Sequence, residues 1–224
     1  MSSEDDYWAA RREELLRQME DDEAALRDRL SKLYERQAAE LEREIAAYYQ
    51  RYGEGNVIEY RTLLQELSAD DRRLLIERMD EFAAKYPQYA HLMPIRKSIY
   101  KLNELEGIQE SIKMRMLEIG AIEQGELEEH FRRQAQRAAN LAAEQMGFGS
   151  SFYAVNSQVV TATAGAAWAS GSRYSDAVWG NREKLAAYLN DDFAKGIARG
   201  MSYEKLAKAL SERFANVSMR DIRR

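Results

Sequence analysis

Hydrophobic positions recur at helical spacing over most of the first fifty residues. Most gaps between them are three, four or seven positions, and charged residues fill the intervals. This spacing places the apolar side chains on one stripe of an α-helix. The stripe comprises Trp8, Leu15, Met19, Leu26, Leu30, Leu33, Leu41, Ile45, Tyr48 and Tyr52. We therefore predict one amphipathic helix of about 45 residues, ended by Gly53 and Gly55.

A helix of this length with a narrow apolar stripe usually packs in a coiled coil or hairpin. A second helical pattern, from Ile95 to about Met146, supplies the partner. Gly107, Gly120 and Gly125 each weaken that pattern by about 1 kcal/mol relative to alanine. Antiparallel pairing of the two patterns would bury both stripes, so an elongated helical hairpin is expected.

Shorter elements are predicted between the two long helices. Residues 57–67 favour a short helix, and Ser68 favours the N-cap of a longer one because Asp71 occupies the capping-box position. Pro87 and Pro94 bracket the connector to the second long helix.

The last third of the chain differs in composition. The "GFGSS" segment at 147–151 marks a boundary, and a helix is predicted over residues 182–199, closed by Gly200. Ser202 is predicted to cap the next helix. Ser218 would cap one more, of barely two turns, so the chain is expected to end within an element.

These elements predict an all-α fold in two parts. Residues 1–146 form a long antiparallel helical hairpin or coiled coil, with short helices at 57–85, and residues 147–224 form a small C-terminal helical module. The composition agrees, since 32% of the 224 residues are charged and only two are proline. Cysteine is absent, which excludes disulfides, thiolate metal sites and a cysteine nucleophile and fits a reducing compartment.

The net charge of −5 is unevenly distributed. Residues 1–50 carry 14 acidic and 8 basic side chains, whereas the remainder carries 24 acidic and 25 basic ones. Readers of duplex DNA normally show a clustered basic face, so direct binding of duplex DNA is not expected. A secretory signal is not predicted, and residues 152–169 are too polar for a membrane span.

Signatures of catalysis are weak. Phosphate-binding glycine loops and nucleophile elbows are absent from the sequence, and the only imidazoles are His91 and His130. We predict His91 as a connector residue and His130 as a surface histidine beside Glu126, because a helical metal site needs more ligands at this spacing. The acidic runs at 4–6 and 20–24 are predicted to be solvated faces. No catalytic residue, metal or cofactor is assigned.

Two aromatic segments have alternative interpretations. The tyrosines of "YYQRY" at 48–52 continue the apolar stripe and favour a plug that closes the hairpin, although stacking on single-stranded nucleic acid is the rival hypothesis. "WASGSRYSDAVWGN", starting at residue 168, favours a structural corner in which Gly171 allows a tight bend and the two indoles pack under it, with Ser175 and Asn181 as helix-start residues. Direct contact with a partner is the other interpretation.

Four passages, in order, resemble the phage minor head proteins, also called Mu F-like or head morphogenesis proteins, of phages and prophages of Gram-positive bacteria. They are "YWAARREELL" at 7–16, "AAYYQRYGEGNVIEY" at 46–60, "WASGSRYSDAVWGNREKLAAYL" at 168–189 and "FAKGIARGMSYEKLAKALSERFANVS" at 193–218. The third is the most specific, although Ala177-Val178 replaces the family's usual Arg-Ile. The family also commonly continues into an Arg-Thr-Glu segment, which this sequence lacks. The signature positions are Tyr7, Trp8, Arg11, Tyr49, Tyr52, Asn56, Trp168, Gly171, Tyr174, Ser175, Trp179, Asn181, Leu185, Gly200 and Ser202.

The resemblance implies a non-enzymatic minor capsid protein, present in few copies near the portal vertex and acting in head assembly and DNA delivery. Portal and capsid proteins would be its partners, with homo-oligomers through the long helices as a further expectation. It would occur in the virion and, during assembly, in the host cytoplasm. One alternative is the N-terminal delivery part of a phage-like toxin, or a DNA-processing enzyme whose active domain is missing here. A cellular coiled-coil adaptor is another, but it would explain residues 1–146 and not the tryptophan block.

Overall fold

A computed structural model describes residues 3–148 and 173–222. Within them, the predicted all-α fold is confirmed, because the only sheet consists of two strands of two residues each. The α-helices are α1 (Ser3–Tyr52), α2 (Ala69–Lys85), α3 (Glu104–Gln145), α4 (Tyr174–Ala198) and α5 (Tyr203–Ile222). The strands are β1 (Gly53–Glu54) and β2 (Val57–Ile58), and 3₁₀ helices span Thr62–Leu64, Pro87–Leu92 and Arg96–Lys101.

The prediction of a helix over residues 57–67 is wrong. β2 pairs antiparallel with β1, the strand that directly follows α1. Within residues 57–67 only Thr62–Leu64 is helical, as a 3₁₀ helix. Gly55 permits the tight turn between the strands because its φ of 65° is costly for other residues. Backbone pairing with the chain leaving α1 thus overrides the local helical pattern.

The start of α3 also differs from the prediction, because the helix begins at Glu104 and not at Ile95. Asn103 and Glu106 form a reciprocal capping box. The Asn103 Oδ1 atom accepts from the Glu106 N–H at 2.9 Å, and Glu106 Oε2 accepts from the Asn103 N–H at 2.9 Å. α2 starts as predicted, since Ser68 Oγ accepts from the Asp71 N–H at 3.2 Å.

The boundaries near the C-terminus need two corrections. α4 begins at Tyr174, where the Arg173 N–H donates to Asp176 Oδ2 at 2.8 Å, so Ser175 and Asn181 lie inside the helix and do not start it. Ser218 does not cap a separate helix, because it is buried within α5. Its hydroxyl lies 3.5 Å from Arg182 Nη1, and tertiary packing therefore carries α5 through this position.

The chain divides into two compact units, unit 1 (residues 1–30 and 123–177) and unit 2 (residues 31–122 and 178–224). In unit 1, the first part of α1 pairs antiparallel with the last part of α3, as three salt bridges show. They join Arg11 to Glu144 at 2.9 Å, Arg29 to Glu126 at 2.8 Å, and Asp22 to Arg137. Part of the predicted boundary at 147–151, residues 149–151, lies outside the described residues. The division into 1–146 and 147–224 therefore stays a prediction.

Unit 2 contains the larger core. The α1 stripe is buried from Leu33 to Tyr48. Aromatic pairs join this part of α1 to the C-terminal helices: Tyr34 contacts Phe214, and Tyr48 contacts Phe193, with ring centroids 6.2 and 6.4 Å apart. The largest buried apolar side chains include Leu41, Ile45, Ile99, Ile112, Met116, Ile119, Phe193 and Phe214. None of the described helices combines the length and apolar character needed to cross a lipid bilayer.

Candidate functional site

Glu44, Arg78, Ser111 and Arg115 form a densely connected polar cluster in the described part of unit 2, here called the Glu44 network. The Glu44 side chain on α1 is only 11% exposed. Its Oε1 accepts from Arg78 Nη1 at 3.0 Å and from Ser111 Oγ at 2.6 Å, while its Oε2 accepts from Arg115 Nη2 at 2.7 Å and Nε at 2.9 Å. The Tyr48 hydroxyl donates to Oε1 at 3.0 Å. One carboxylate thus connects α1 to α2 and α3.

The electrostatics of the network keep Glu44 ionised. Burial alone would raise the pKa of Glu44, but the two guanidinium groups and the Ser111 hydroxyl lower it to about 2. Burial and the neighbouring carboxylate raise the pKa of the Tyr48 phenol. The pKa of Arg115 is raised by Glu44 and Glu40, although burial opposes them. At neutral pH neither Glu44 nor Tyr48 is poised to exchange a proton.

Arg115 is held by more than one side chain of α1. Its Nη1 donates to Gln37 Oε1 at 3.0 Å and to Glu40 Oε2 at 2.9 Å. Gln37, Glu40 and Glu44 are spaced at i, i+3 and i+7, so one helix face presents all three to the guanidinium. This arrangement fixes the register between α1 and α3 within unit 2.

A cavity of about 290 Å³ adjoins the network and contains a second polar group around Tyr52. The Tyr52 hydroxyl contacts the carboxylates of Asp71 and Glu104, the latter at 2.8 Å, and Asp71 is also paired with Arg51. Glu104 Oε1 accepts from the Ser68 N–H at 2.8 Å. Burial, followed by the hydrogen bond to Glu104, raises the pKa of Tyr52 to about 12. These contacts join the end of α1 to the starts of α2 and α3.

Two of the predicted signature residues, Tyr49 and Asn56, meet the start of α5. The Tyr49 hydroxyl donates to the Met201 carbonyl at 2.8 Å, and its ring packs edge-on against Tyr203 at 5.7 Å between centroids. Asn56 Nδ2 lies 2.7 and 2.6 Å from the two carboxylate oxygens of Glu204. Tyr49 therefore closes a joint between α1 and the start of α5 in unit 2. The plug at the hairpin and the stacking on single-stranded nucleic acid both stay predictions.

Gly200 and Ser202, two further signature residues, form the turn between α4 and α5. Gly200 has a φ of 64° and its N–H donates to the Ile197 carbonyl at 2.9 Å, which ends α4. Ser202 directly precedes α5, and its carbonyl accepts from the Leu206 N–H at 3.0 Å. The structure thus brings Tyr49, Asn56 and this turn together from distant parts of the sequence.

Trp179 on α4 packs against the core of unit 2. A Cβ atom on Gly120 would lie 2.7 Å from its Cζ3 atom, so the indole lies directly on the α3 backbone. The Tyr89 ring lies 4.8 Å away, centroid to centroid. Leu185 is fully buried on α4, and Asn181 is partly buried. Trp168 and Gly171 lie outside the described residues, so the predicted corner between the two indoles stays a prediction.

The remaining signature residues lie in unit 1. The rings of Tyr7 and Trp8 contact each other edge-on at 5.0 Å between centroids, and Arg11 is paired with Glu144. Tyr174 is buried, with its ring 5.1 Å from that of Phe131.

The two histidines differ from each other. His91 is exposed in the connector, as predicted, with Nδ1 3.1 Å from the Gln88 carbonyl. The prediction of a surface position for His130 is wrong, because this side chain is only 7% exposed. Its Nδ1 atom has no hydrogen-bond partner within the described residues, and burial lowers its pKa. Glu126, its expected neighbour, is instead paired with Arg29 of α1.

Sequence reasoning missed the members of the Glu44 network. One signal was available, because Arg115 lies seven residues from Ile108 and three from Ile112 and so falls on the apolar stripe of α3. A charged residue on a buried stripe requires a partner. The identity of that partner depends on packing that spacing does not specify.

A metal centre is not evident in the described part of the chain, where no group of three or more histidine and carboxylate side chains is placed to hold an ion. Comparisons with protein-family models, with curated proteins and with solved structures gave no match. The arrangement of the site therefore carries the functional argument, together with the sequence resemblance.

Proposed function

We propose that this chain is a structural minor head protein of a bacteriophage, which acts near the portal vertex in head assembly and DNA delivery. Portal and capsid proteins would be its partners. It would occur in the virion, and in the host cytoplasm during assembly. The four passages that resemble the minor head proteins support this assignment, and three of them contribute residues to the joints of unit 2.

The Glu44 network is the observation that carries the proposal. The Glu44 carboxylate accepts hydrogen bonds from two arginines, a serine and a tyrosine. The arginines and the serine lower its pKa, so the carboxylate is ionised at neutral pH. A catalytic acid or base needs a pKa near the working pH and access to a substrate. A carboxylate with these partners instead joins α1, α2 and α3, which favours a structural role for this part of the chain over a catalytic one.

The distribution of charge favours protein partners for the N-terminal part of the chain. Residues 1–50 carry a net charge of −6, and much of α1 is exposed in its first turns. Phosphates of packaged DNA would repel this surface, whereas basic portal or capsid surfaces would attract it.

The experiment uses a phage or inducible prophage whose genome encodes this chain. Heads purified on density gradients are analysed by quantitative mass spectrometry, with the portal protein as the internal standard. We expect the chain in heads, in no more copies than the portal protein. Deletion of its gene should yield particles defective in assembly or DNA delivery, and complementation with the wild-type gene should restore infectivity.

Two results would contradict the proposal. One is the absence of the chain from purified heads combined with normal infectivity of the deletion. The other is cleavage of DNA by the purified chain in a panel of divalent metals, which would favour the enzyme alternative.

A further inference from the structure

An exposed face of α1 within unit 1 has no partner among the residues that the structure describes. Its residues recur at intervals of three and four, lie within about 80° on the helix surface and are all exposed. They are Asp6, Ala9, Glu13, Leu16 and Glu20, here called the acidic face. Leu16 is 60% exposed, and the three carboxylates form no ion pair within the described residues.

A groove of opposite charge lies between α4 and α5 in unit 2, with a volume of about 590 Å³. These helices approach closely at Gly196, where a Cβ atom would lie 2.4 Å from Leu206 Cδ1. Basic side chains line the groove and apolar ones form part of its floor. Its lining includes Lys195, Arg199, Arg213, Arg220, Met201 and Val217, here called the basic groove.

Two arginines of the groove are available to a ligand. Arg213 is paired with Asp192 at 2.8 Å, and the neighbouring Lys195 is paired with Asp191 at 2.6 Å. Arg199 and Arg220 are both exposed and form no ion pair within the described part of the chain. Two acidic residues, Asp192 and Glu212, also line the groove, and Glu212 Oε1 lies 3.9 Å from Lys208 Nζ.

We propose that the acidic face of one copy docks in the basic groove of a second copy. Asp6, Glu13 and Glu20 repeat every seven residues, about 10.5 Å along the helix, which matches the spacing of Arg213 and Arg220 on α5. Arg220 is available for such a contact, and Arg213 would share its guanidinium between Asp192 and the incoming carboxylate. Leu16, between the second and third carboxylates, faces the apolar floor. The partner is an acidic amphipathic helix in a groove, a common mode of helix recognition.

The composition of the groove favours this occupant over nucleic acid. Its lining contains no aromatic side chain for base stacking, and it includes two carboxylates that would repel phosphates. The contact joins two different surfaces, so each contact leaves a free acidic face on one copy and a free basic groove on the other, which allows larger assemblies unless two copies pair reciprocally. This inference does not depend on the proposed function.

The test measures self-association of the full chain by sedimentation velocity at low and high salt. We expect the average mass to rise with concentration at low salt and to fall as salt is added, because the Debye length shortens from about 30 Å at 0.01 M to about 10 Å at 0.1 M. The double variants Glu13→Lys/Glu20→Lys and Arg199→Glu/Arg220→Glu should each associate at least about tenfold more weakly.

Mixing the two variants provides the decisive measurement. Arg199→Glu/Arg220→Glu keeps the wild-type acidic face, which can bind the wild-type basic groove of Glu13→Lys/Glu20→Lys. The reversed groove of the first variant and the reversed face of the second are also of opposite charge. We expect the mixture to regain association that neither variant shows alone. Circular dichroism confirms that each variant is helical, and the milder pair Glu13→Gln/Glu20→Gln should weaken association in the same direction.

Two control variants reverse equal charge elsewhere on the surface. Glu54→Lys/Glu59→Lys and Lys97→Glu/Lys101→Glu change exposed residues outside both surfaces and should associate like the wild type.

Several outcomes would overturn the proposal. These are a monomer at every concentration at low salt, association that salt or the paired reversals do not weaken, and a mixture of the variants that stays monomeric. Retardation of a duplex oligonucleotide that Arg199→Glu/Arg220→Glu abolishes, without self-association, would assign the groove to nucleic acid instead.

Discussion

Replacing Glu44 by glutamine removes the central charge of the network while preserving the size of the side chain. The pKa of Glu44 falls from 4.5 to about 2 on folding, which corresponds to about 3 kcal/mol of stability at neutral pH. Removing one member of a buried ion pair typically costs 3–5 kcal/mol, so the two estimates agree. We therefore expect Glu44→Gln to lower the free energy of unfolding by about 3 kcal/mol at pH 7.

The sign of the pH dependence follows from the lowered pKa. A carboxyl group whose pKa is depressed in the folded state contributes its full stability above the unfolded pKa of 4.5, and it loses this contribution as the pH falls towards 2. The difference between wild type and Glu44→Gln should accordingly be constant from pH 7 to about pH 5 and nearly vanish by pH 2.

The assay is urea unfolding followed by far-ultraviolet circular dichroism at several pH values. Glu129→Gln is the matched control, because Glu129 is paired with Arg132 but is 49% exposed and should change stability by less than about 1 kcal/mol. A loss below about 1 kcal/mol for Glu44→Gln at pH 7, or a loss that stays constant down to pH 2, would refute the account of the network.

Four further substitutions test individual contacts by thermal or urea unfolding. Gly120→Ala should lower the free energy of unfolding by about 1 kcal/mol and alter Trp179 fluorescence, because overpacking against the indole exceeds the gain in helix propensity. Gly125→Ala, which has open space around the new Cβ, should raise the free energy of unfolding by about 1 kcal/mol. Because burial lowers the pKa of His130, the wild type should lose stability as the pH falls below 6.5, and His130→Phe should remove that dependence; equal pH profiles would contradict this. Tyr49→Phe should cost about 1 kcal/mol by removing a bond to a backbone carbonyl, and an unchanged midpoint would exclude a role for that bond.

Local signals in the sequence predicted several elements correctly. The long stripe of α1 and the Ser68 cap of α2 depend on helical periodicity and on side-chain bonds within four residues, and both are present. The capping box of Asn103 and Glu106 is equally local, yet the prediction started α3 at Ile95, because the apolar pattern continues through a 3₁₀ turn.

Contacts between distant residues were not predictable in the same way. His130 has a carboxylate one turn before it, as a surface histidine often does, but the pairing of α1 with α3 in unit 1 buries its ring. Arg115 is a charged residue on an apolar stripe, and its partner Glu44 lies 71 residues away. Such pairs depend on which helices pack together and in what register.

The amino-acid sequence by itself determined the helical character of this protein, the position of α2 and the charge asymmetry between its first fifty residues and the remainder. These properties follow from periodicity, capping and composition, which act over short distances along the chain. Tertiary structure alone decided which charges were buried, which tyrosines closed joints and where α4 and α5 packed against α1. The reason is energetic: a buried charge is stable only when folding places its partner within hydrogen-bonding distance.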